Sequence, residues 1–196
     1  KFYFIAGSGN NKTFSKKNLS LISNSLIQEQ NKYNIALCGG DTTFSNKLSF
    51  TLTSVGYSKK IVYRNRALIN DDIYVTGDLG DSFMGLQILK KKIKVSKVLK
   101  NYFAQKYYLP DIQIKLTKKL LNFANSSIDL SDGLIDDLSK MINNQNLSFS
   151  LNENKIPISK NLLKIIKMKK MKKIKLVSNG DDYQILFTAS KDKSRI

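Results

Sequence analysis

The chain has 196 residues, enough for one large domain or parts of two, and 41% of them are hydrophobic, which excludes wholesale disorder. Lys and Arg number 33 against 15 Asp and Glu, a formal net charge of +18, and there is no His. Every apolar run is broken by Lys or Asn before it reaches the length of a membrane span. The absence of His excludes His-ligated metals and His-based acid–base chemistry within these residues.

The charge is mostly lysine, since only Arg64, Arg66 and Arg195 are arginines. Readers of bases and phosphates lean on the bidentate fork of Arg, so nucleic-acid binding is the weaker reading. The lysines read instead as solvated helix faces, with attraction of a polyanionic ligand or RNA as the alternative. Cys38 is the sole cysteine. No internal disulfide is possible, a reducing cytoplasm is the expected setting, and Ile35, Ala36 and Leu37 beside it predict a buried core thiol. No signal-peptide pattern opens the chain. It begins with Lys1 rather than Met, as a fragment or processed product would.

In chain order, Phe2–Ile5 reads as a strand and Gly7–Thr13 as a loop. Leu19, Ile22, Leu26 and Tyr33 form one helical stripe. Ile35–Cys38 is a short buried strand running into a Gly39-Gly40 turn. Leu48–Tyr57 alternates as a strand of an antiparallel or mixed sheet. The charged, irregular stretch Ser58–Asp72 is the best domain boundary. Ile73–Val75 is then a strand, Gly80–Leu89 a helix, and Val95–Tyr107 and Asp111–Phe123 two helices parted by Pro110. Ser127–Leu130 is a buried strand, followed by a helix over Ser131–Ile142 with Ser131 or Asp132 at its start. Leu147–Leu151 alternates as another strand. Lys160–Lys175 is an amphipathic helix, with Leu162, Leu163, Ile165, Ile166 and Met168 between lysines. Tyr183–Thr188 closes the sheet after the turn Ser178–Asp182. The irregular alternation gives a mixed α/β (α+β) fold class without internal repeats.

Four segments carry candidate chemistry. Gly7–Thr13 sits between a strand and a helix like a phosphate loop, but Asn11 stands where such a loop needs Gly before Lys12, so it reads as a plain connection. In Gly39-Gly40-Asp41-Thr42-Thr43 two glycines permit close backbone approach and Asp41 is a hard oxygen ligand. That suits Mg2+ with phosphate, and equally an aspartate capping its own turn. In Asp129-Leu130-Ser131-Asp132-Gly133, Asp129 and Ser131 point the same way, and Asp132 sits at a helix mouth. Two carboxylates so close ask for a cation or for hydrogen bonds, and a helix cap backed by Asp136 and Asp137 is the alternative. Asn179-Gly180-Asp181-Asp182-Tyr183 is a third acidic turn, unremarkable alone.

In this order the motifs resemble the thiamine-monophosphate kinase family, of the superfamily that includes aminoimidazole ribonucleotide synthetase. The pattern G-G-D-T-T is Gly39–Thr43, R-S-G-A-x-x-G-D survives as Arg64–Asp71, and Y-V-T-G-x-L-G-D-S-x-x-G-L is Tyr74–Leu86. I-D-L-S-D-G-L is intact at Ile128–Leu134, and G-G-E-D-Y-E-L-L-F-T appears as Asn179–Thr188. The resemblance implies ATP-dependent phosphorylation of thiamine monophosphate to thiamine diphosphate by direct, Mg2+-assisted phosphoryl transfer, without a catalytic side chain. It implies Gly40, Asp41, Arg64 and Ser131 at ATP, Asp41, Asp129 and Asp132 at Mg2+, and Asp181 at the substrate. It also implies a two-domain PurM-like fold in a cytoplasmic homodimer. Residues 1–62 would be what remains of an N-terminal ATP-binding and dimerisation domain, and 63–196 a truncated C-terminal domain. Neither nucleic acid nor membrane is expected as a partner.

The chain departs from the pattern at Phe44, where Arg is common, at Asp111 for Arg, at Asn179 for Gly and at Asp181 for Glu. Family members carry segments before Lys1 and after Ile196, so this chain is expected to have little activity alone. The alternatives are another ATP-using member of the superfamily, such as a purine-pathway or selenophosphate synthetase, and a basic RNA-binding domain.

Overall fold

The computed structural model describes residues 1–191, which form two units divided between Lys59 and Lys60. The first holds β1 (Phe2–Gly9), α1 (Lys16–Tyr33), β2 (Ala36–Phe44) and β3 (Ser49–Val55). Its sheet runs β2-β1-β3, with β1 parallel to β2 and antiparallel to β3. Parallel neighbours require a crossover, and α1 supplies it. Ser15 caps that helix by accepting from the Asn18 amide, and Asn34 ends it in the left-handed conformation.

Three expectations for this unit are corrected. The strand β1 runs on to Gly9, and in the turn after it Asn10 Oδ1 accepts the amides of Lys12 and Thr13 at 3.0 and 3.1 Å. Those are donors a phosphate loop would have to offer. The Gly39-Gly40-Asp41-Thr42-Thr43 motif is not a turn but lies within β2. Cys38 is exposed rather than buried: the β1–β2 register jumps between Tyr3↔Leu37 and Phe4↔Gly39, leaving Cys38 as the extra residue of a bulge. Among the described residues Tyr3 is the only buried hydrophobic side chain of this unit, while Phe4, Leu37, Phe44, Phe50 and Leu52 are exposed.

The second unit holds β4 (Asp72–Val75), α2 (Asp81–Leu89), α3 (Lys97–Tyr108), α4 (Ile114–Leu120), β5 (Ser126–Asp129), α5 (Leu134–Met141), α6 (Lys160–Lys169), α7 (Lys173–Val177) and β6 (Ile185–Ala189), with a 3-10 turn at Glu153–Lys155. The sheet order is β4-β6-β5, with β6 antiparallel to both neighbours. Side chains alternate across a strand, so β6 feeds two cores. Leu186 packs with Leu134, Leu138 and Met141 of α5, whereas Phe187 stacks on Tyr74 with ring centroids 5.3 Å apart and meets Leu120 of α4. A third core joins α2, α3, α6 and α7 through Met84, Phe103, Leu162, Ile165 and Leu176.

Here too the structure corrects the sequence reading. Lys160–Lys175 is two helices, α6 ending at a left-handed Lys170 and α7 starting after Lys172. Neither Ser131 nor Asp132 caps α5; Gly133 holds that position without a side-chain bond. Leu147–Leu151 belongs to no ladder, although Phe149 and Leu151 pack on the α5 core. Among the described residues no helix is long and apolar enough to cross a membrane.

On α6, Leu162 is fully buried and Leu163 is 41% exposed. Leu162→Ala should therefore cost about 2–5 kcal/mol through the cavity it leaves. Leu163→Ala should stay within about 1 kcal/mol, and denaturant unfolding of the two variants measures the difference.

Candidate functional site

Strand β5 ends at Asp129, and the chain turns through residues 130–133 into α5. Three backbone bonds fasten this turn to the segment before β6. Tyr183 N donates to Leu130 O at 2.8 Å, Leu130 N to Gln184 O at 2.8 Å, and Asp181 N to Ser131 O at 3.0 Å. A Cβ added to Gly180 would lie 1.8 Å from Ser131 O, so only glycine permits this approach. Asp181 (φ 71°) and Tyr183 (φ 49°) occupy the left-handed region, a strained choice that these bonds enforce.

The structure thus brings Asp129, Ser131, Asp132 and Asp181 together on two interlocked turns. Asp129 and Asp132 are exposed, and Ser131 and Asp181 are half-buried. Lys140 of α5 forms an ion pair with Asp132 and reaches Asp137 at 3.2 Å. Hydrogen bonding to these two carboxylates raises the Lys140 pKa above its usual value. Buried Asp137 in turn accepts the amides of Asp132 and Gly133 at 2.9 and 3.0 Å. A carboxylate one turn into α5 thereby satisfies the helix-mouth donors, which explains why no side chain is needed at the cap.

Behind this rim lies a buried acidic layer that sequence reasoning missed. Asp182 is 6% exposed and accepts Gly80 N at 2.6 Å and Ser82 N at 3.1 Å, closing the N-terminus of α2 from a distant part of the chain. Burial pushes its carboxyl up to about 6, against the pull of those amides. Asp81 beside it takes bonds from Tyr102 (2.7 Å) and Ser159 (2.7 Å), and burial raises its pKa too. With Asp78, Lys106, Asp111 and Gln184 these groups line a cavity of about 180 Å³. Asp111, the residue that replaces an expected Arg, pairs with Lys106. The available signal was the doublet Asp181-Asp182 just before a strand, where alternation turns one of two neighbours inward, and Asp81 in the first turn of a predicted helix.

The remaining sequence candidates lie elsewhere. Arg64 is exposed, on backbone held at both sides: Tyr63 O accepts from Ser126 Oγ at 3.1 Å, and Asn65 N donates to Met141 O at 2.7 Å. Gly40 and Asp41 belong to the first unit, where Asp41 is exposed and opposite Ala6. A Cβ on Gly40 would come within 1.8 Å of Ile5 O, so strand pairing by itself accounts for that glycine. Among the described residues no three of His, Cys, Asp and Glu are grouped closely enough to hold a metal ion by themselves. Mg2+ commonly takes only one or two carboxylates and leaves the rest of its shell to water and phosphate.

No protein-family model matches the chain. It is 41% identical to the thiamine-monophosphate kinase of Buchnera aphidicola subsp. Acyrthosiphon pisum over 91% of its own length and 56% of the relative's. Against that of Buchnera aphidicola subsp. Schizaphis graminum it is 40% identical over 88% and 54%. The chain therefore spans about half the length of the curated relatives it matches. Its fold follows the crystal structure of thiamine monophosphate kinase from Aquifex aeolicus with a TM-score of 0.87 at 24% identity, covering 98% of this chain and 65% of that one. A structure of AaThiL complexed with AMPPCP and TMP aligns with a TM-score of 0.85 at 24% identity, covering 98% and 62%.

Two measurements probe the interlock. Gly180→Ala should lower the melting temperature by several degrees, the equivalent of about 2 kcal/mol or more, because the clash is with backbone. For Asp182, a folded value near 6 against the ordinary 3.8 means that the folded chain holds the proton more tightly. Its contribution to stability is complete below about pH 4 and is lost as pH rises through about 6, roughly 3 kcal/mol in all. Relative to Asp182→Asn, the wild-type melting temperature should be highest at pH 4 and fall by pH 7.

Proposed function

We infer that this chain, a homologue of the thiamine-monophosphate kinases over about nine-tenths of its length, is part of an enzyme that phosphorylates thiamine monophosphate with ATP. The observation that carries the reading is the interlock itself: the exposed carboxylates of Asp129 and Asp132 and that of Asp181 stand on two turns bonded backbone to backbone. AaThiL is complexed with AMPPCP, an ATP analogue, together with TMP, which supports ATP as co-substrate here.

The chemistry asks little of any single side chain. The acceptor is a phosphate monoester whose second pKa is about 6, so near neutral pH its terminal oxygen is already deprotonated. That oxygen attacks the γ-phosphorus of ATP, the bond from the γ-phosphorus to the β-phosphate oxygen breaks, and ADP leaves with the electron pair. No general base is required, which suits a chain without His. What remains is positioning and neutralising charge.

Asp129 and Asp132 are assigned to Mg2+, as is Asp41 within the first unit. The donor set fits: the oxygens are hard and exposed, and the Lys140 ammonium already sits as a cation against Asp132. Held by these carboxylates, the ion would supply positive charge against the phosphates. Lys140 keeps Asp132 paired until then, and Asp137 fixes the turn through two amides. In the second unit Ser131 and Arg64 are assigned to ATP and Asp181 to the thiamine substrate; in the first, Gly40 and Asp41 are assigned to ATP phosphates.

The exposed apolar side chains of the first unit support a second copy of that sheet as its partner, hence a homodimer. The lone Cys38 supports a reducing, cytoplasmic setting. On α6 the lysines are exposed while Leu162 and Ile165 are buried, which supports a solvated face over a nucleic-acid surface.

The test uses the full-length polypeptide with ATP, Mg2+ and thiamine monophosphate, thiamine diphosphate being followed by chromatography. Turnover is expected, with a loss on the order of a hundred-fold in Asp132→Asn at an unchanged melting temperature. Binding of ATP without product from thiamine monophosphate would move the assignment to another phosphoryl acceptor.

A further inference from the structure

The positive charge of the chain is not spread evenly. Residues 82–110 and 154–180 contain 16 of its 33 basic residues, all of them lysine, and none of its 15 acidic ones. The rest of the chain, with 17 basic residues against 15 acidic, is close to neutral. A general preference for lysine would raise the charge everywhere. Taken segment by segment these lysines read as solvated faces, but the fold collects them: the two segments supply nearly all of the bundle of α2, α3, α6 and α7 around Met84, Phe103, Leu162, Ile165 and Leu176.

The bundle has two unlike ends. At one, Ser159 donates to Asp81 at 2.7 Å, Ser82 donates to Lys106 O at 3.1 Å, and a Cβ on Gly80 would lie 3.4 Å from the Leu176 backbone. The starts of α2 and α6 and the ends of α3 and α7 therefore meet there, beside the buried acids Asp81 and Asp182. Helix α2 carries the chain about 13 Å away from them. The other end gathers the end of α2, the start of α3 and the corner between α6 and α7, where Ile93, Val95, Ile166 and Met171 pack on the shared core. Around them stand Lys91, Lys92, Lys94, Lys169, Lys170 and Lys172, all exposed. Val98 and Met168 project from the same end, 78% and 63% exposed.

We propose that this end of the bundle is a docking surface for an anionic phospholipid bilayer, with the lysines against its phosphates and Val98 and Met168 entering the boundary of the acyl chains. Lysine suits the task, since it attracts anionic lipid as a point charge without a fixed bonding geometry. The aliphatic tips among the lysines set the surface apart from one made for nucleic acid. Residues 86–100 and 160–176 contain neither Arg, for bidentate bonds, nor an aromatic ring on which a base could stack. No helix need cross the bilayer for such a contact. Docking here is independent of the phosphoryl-transfer reading, and leaves free the end of the bundle that Asp182 ties to the proposed site.

Sedimentation of the full-length polypeptide with phospholipid vesicles tests this. It should bind vesicles of phosphatidylcholine that contain phosphatidylglycerol, and not those of phosphatidylcholine alone, with an affinity that falls as salt is raised. Each lysine near an anionic surface contributes about a factor of five, so Lys91→Gln, Lys92→Gln and Lys94→Gln together should weaken binding on the order of a hundred-fold at an unchanged melting temperature. Met168→Ser should weaken it several-fold; an unchanged affinity would contradict insertion of that side chain. Absence of binding to the anionic vesicles at low salt would overturn the proposal, as would full binding by the triple variant. So would an affinity for single-stranded RNA high enough to strip the protein from the vesicles, since the surface would then serve a nucleic acid. None of these outcomes bears on thiamine diphosphate formation, which is assayed without lipid.

Discussion

The second unit depends on a short exchange of backbone hydrogen bonds between residues 130–131 and 181–184. Neither segment could hold its shape alone. Asp181 and Tyr183 have left-handed backbones, and Gly180 is pressed against a carbonyl. Side-chain interactions on an exposed rim would be worth little in water. Backbone bonds between two turns that leave adjacent strands fix the exposed carboxylates without relying on any of them.

Asp182 extends the same constraint inward. Its carboxylate grips the amides that open α2, so the turn bearing Asp181 is tied to the helix packed on α3, α6 and α7. Ser159 links Asp81 to the start of α6 and also caps that helix. A buried layer of acids, bonded to amides and hydroxyls, thus supports an outer layer in which Asp132 already meets the cation of Lys140. Burial raises the pKa of the inner acids, and their hydrogen bonds limit the rise.

Local periodicity made much of this legible. The stripe of α1, the alternation of β3 and the amphipathic α6 each repeat with the period of the element they form. The acidic motifs were also visible, because Asp129-Leu130-Ser131-Asp132-Gly133 and Asn179-Gly180-Asp181-Asp182-Tyr183 follow or precede obvious strands. What escaped depended on partners distant in sequence. Gly40 read as room for a ligand, and its close approach to Ile5 O on the neighbouring strand, a second demand for glycine, was not visible. Cys38 had apolar neighbours, but a bulge and a one-helix sheet leave it exposed. Leu147–Leu151 had the alternation of a strand without the ladder. The roles of Asp137 and Asp182 came from amides that no local pattern identifies.

The proposed site is a single unit built from the turn of Asp132 and the turn of Asp181. A double-mutant cycle on kcat/KM in the full-length polypeptide, with Asp132→Asn, Asp181→Asn and both together, measures that most directly. A coupling of about 1 kcal/mol or more is expected, since the two groups would hold opposite ends of one reacting pair across a rigid junction. Strict additivity would mean that the turns act separately, and would contradict it.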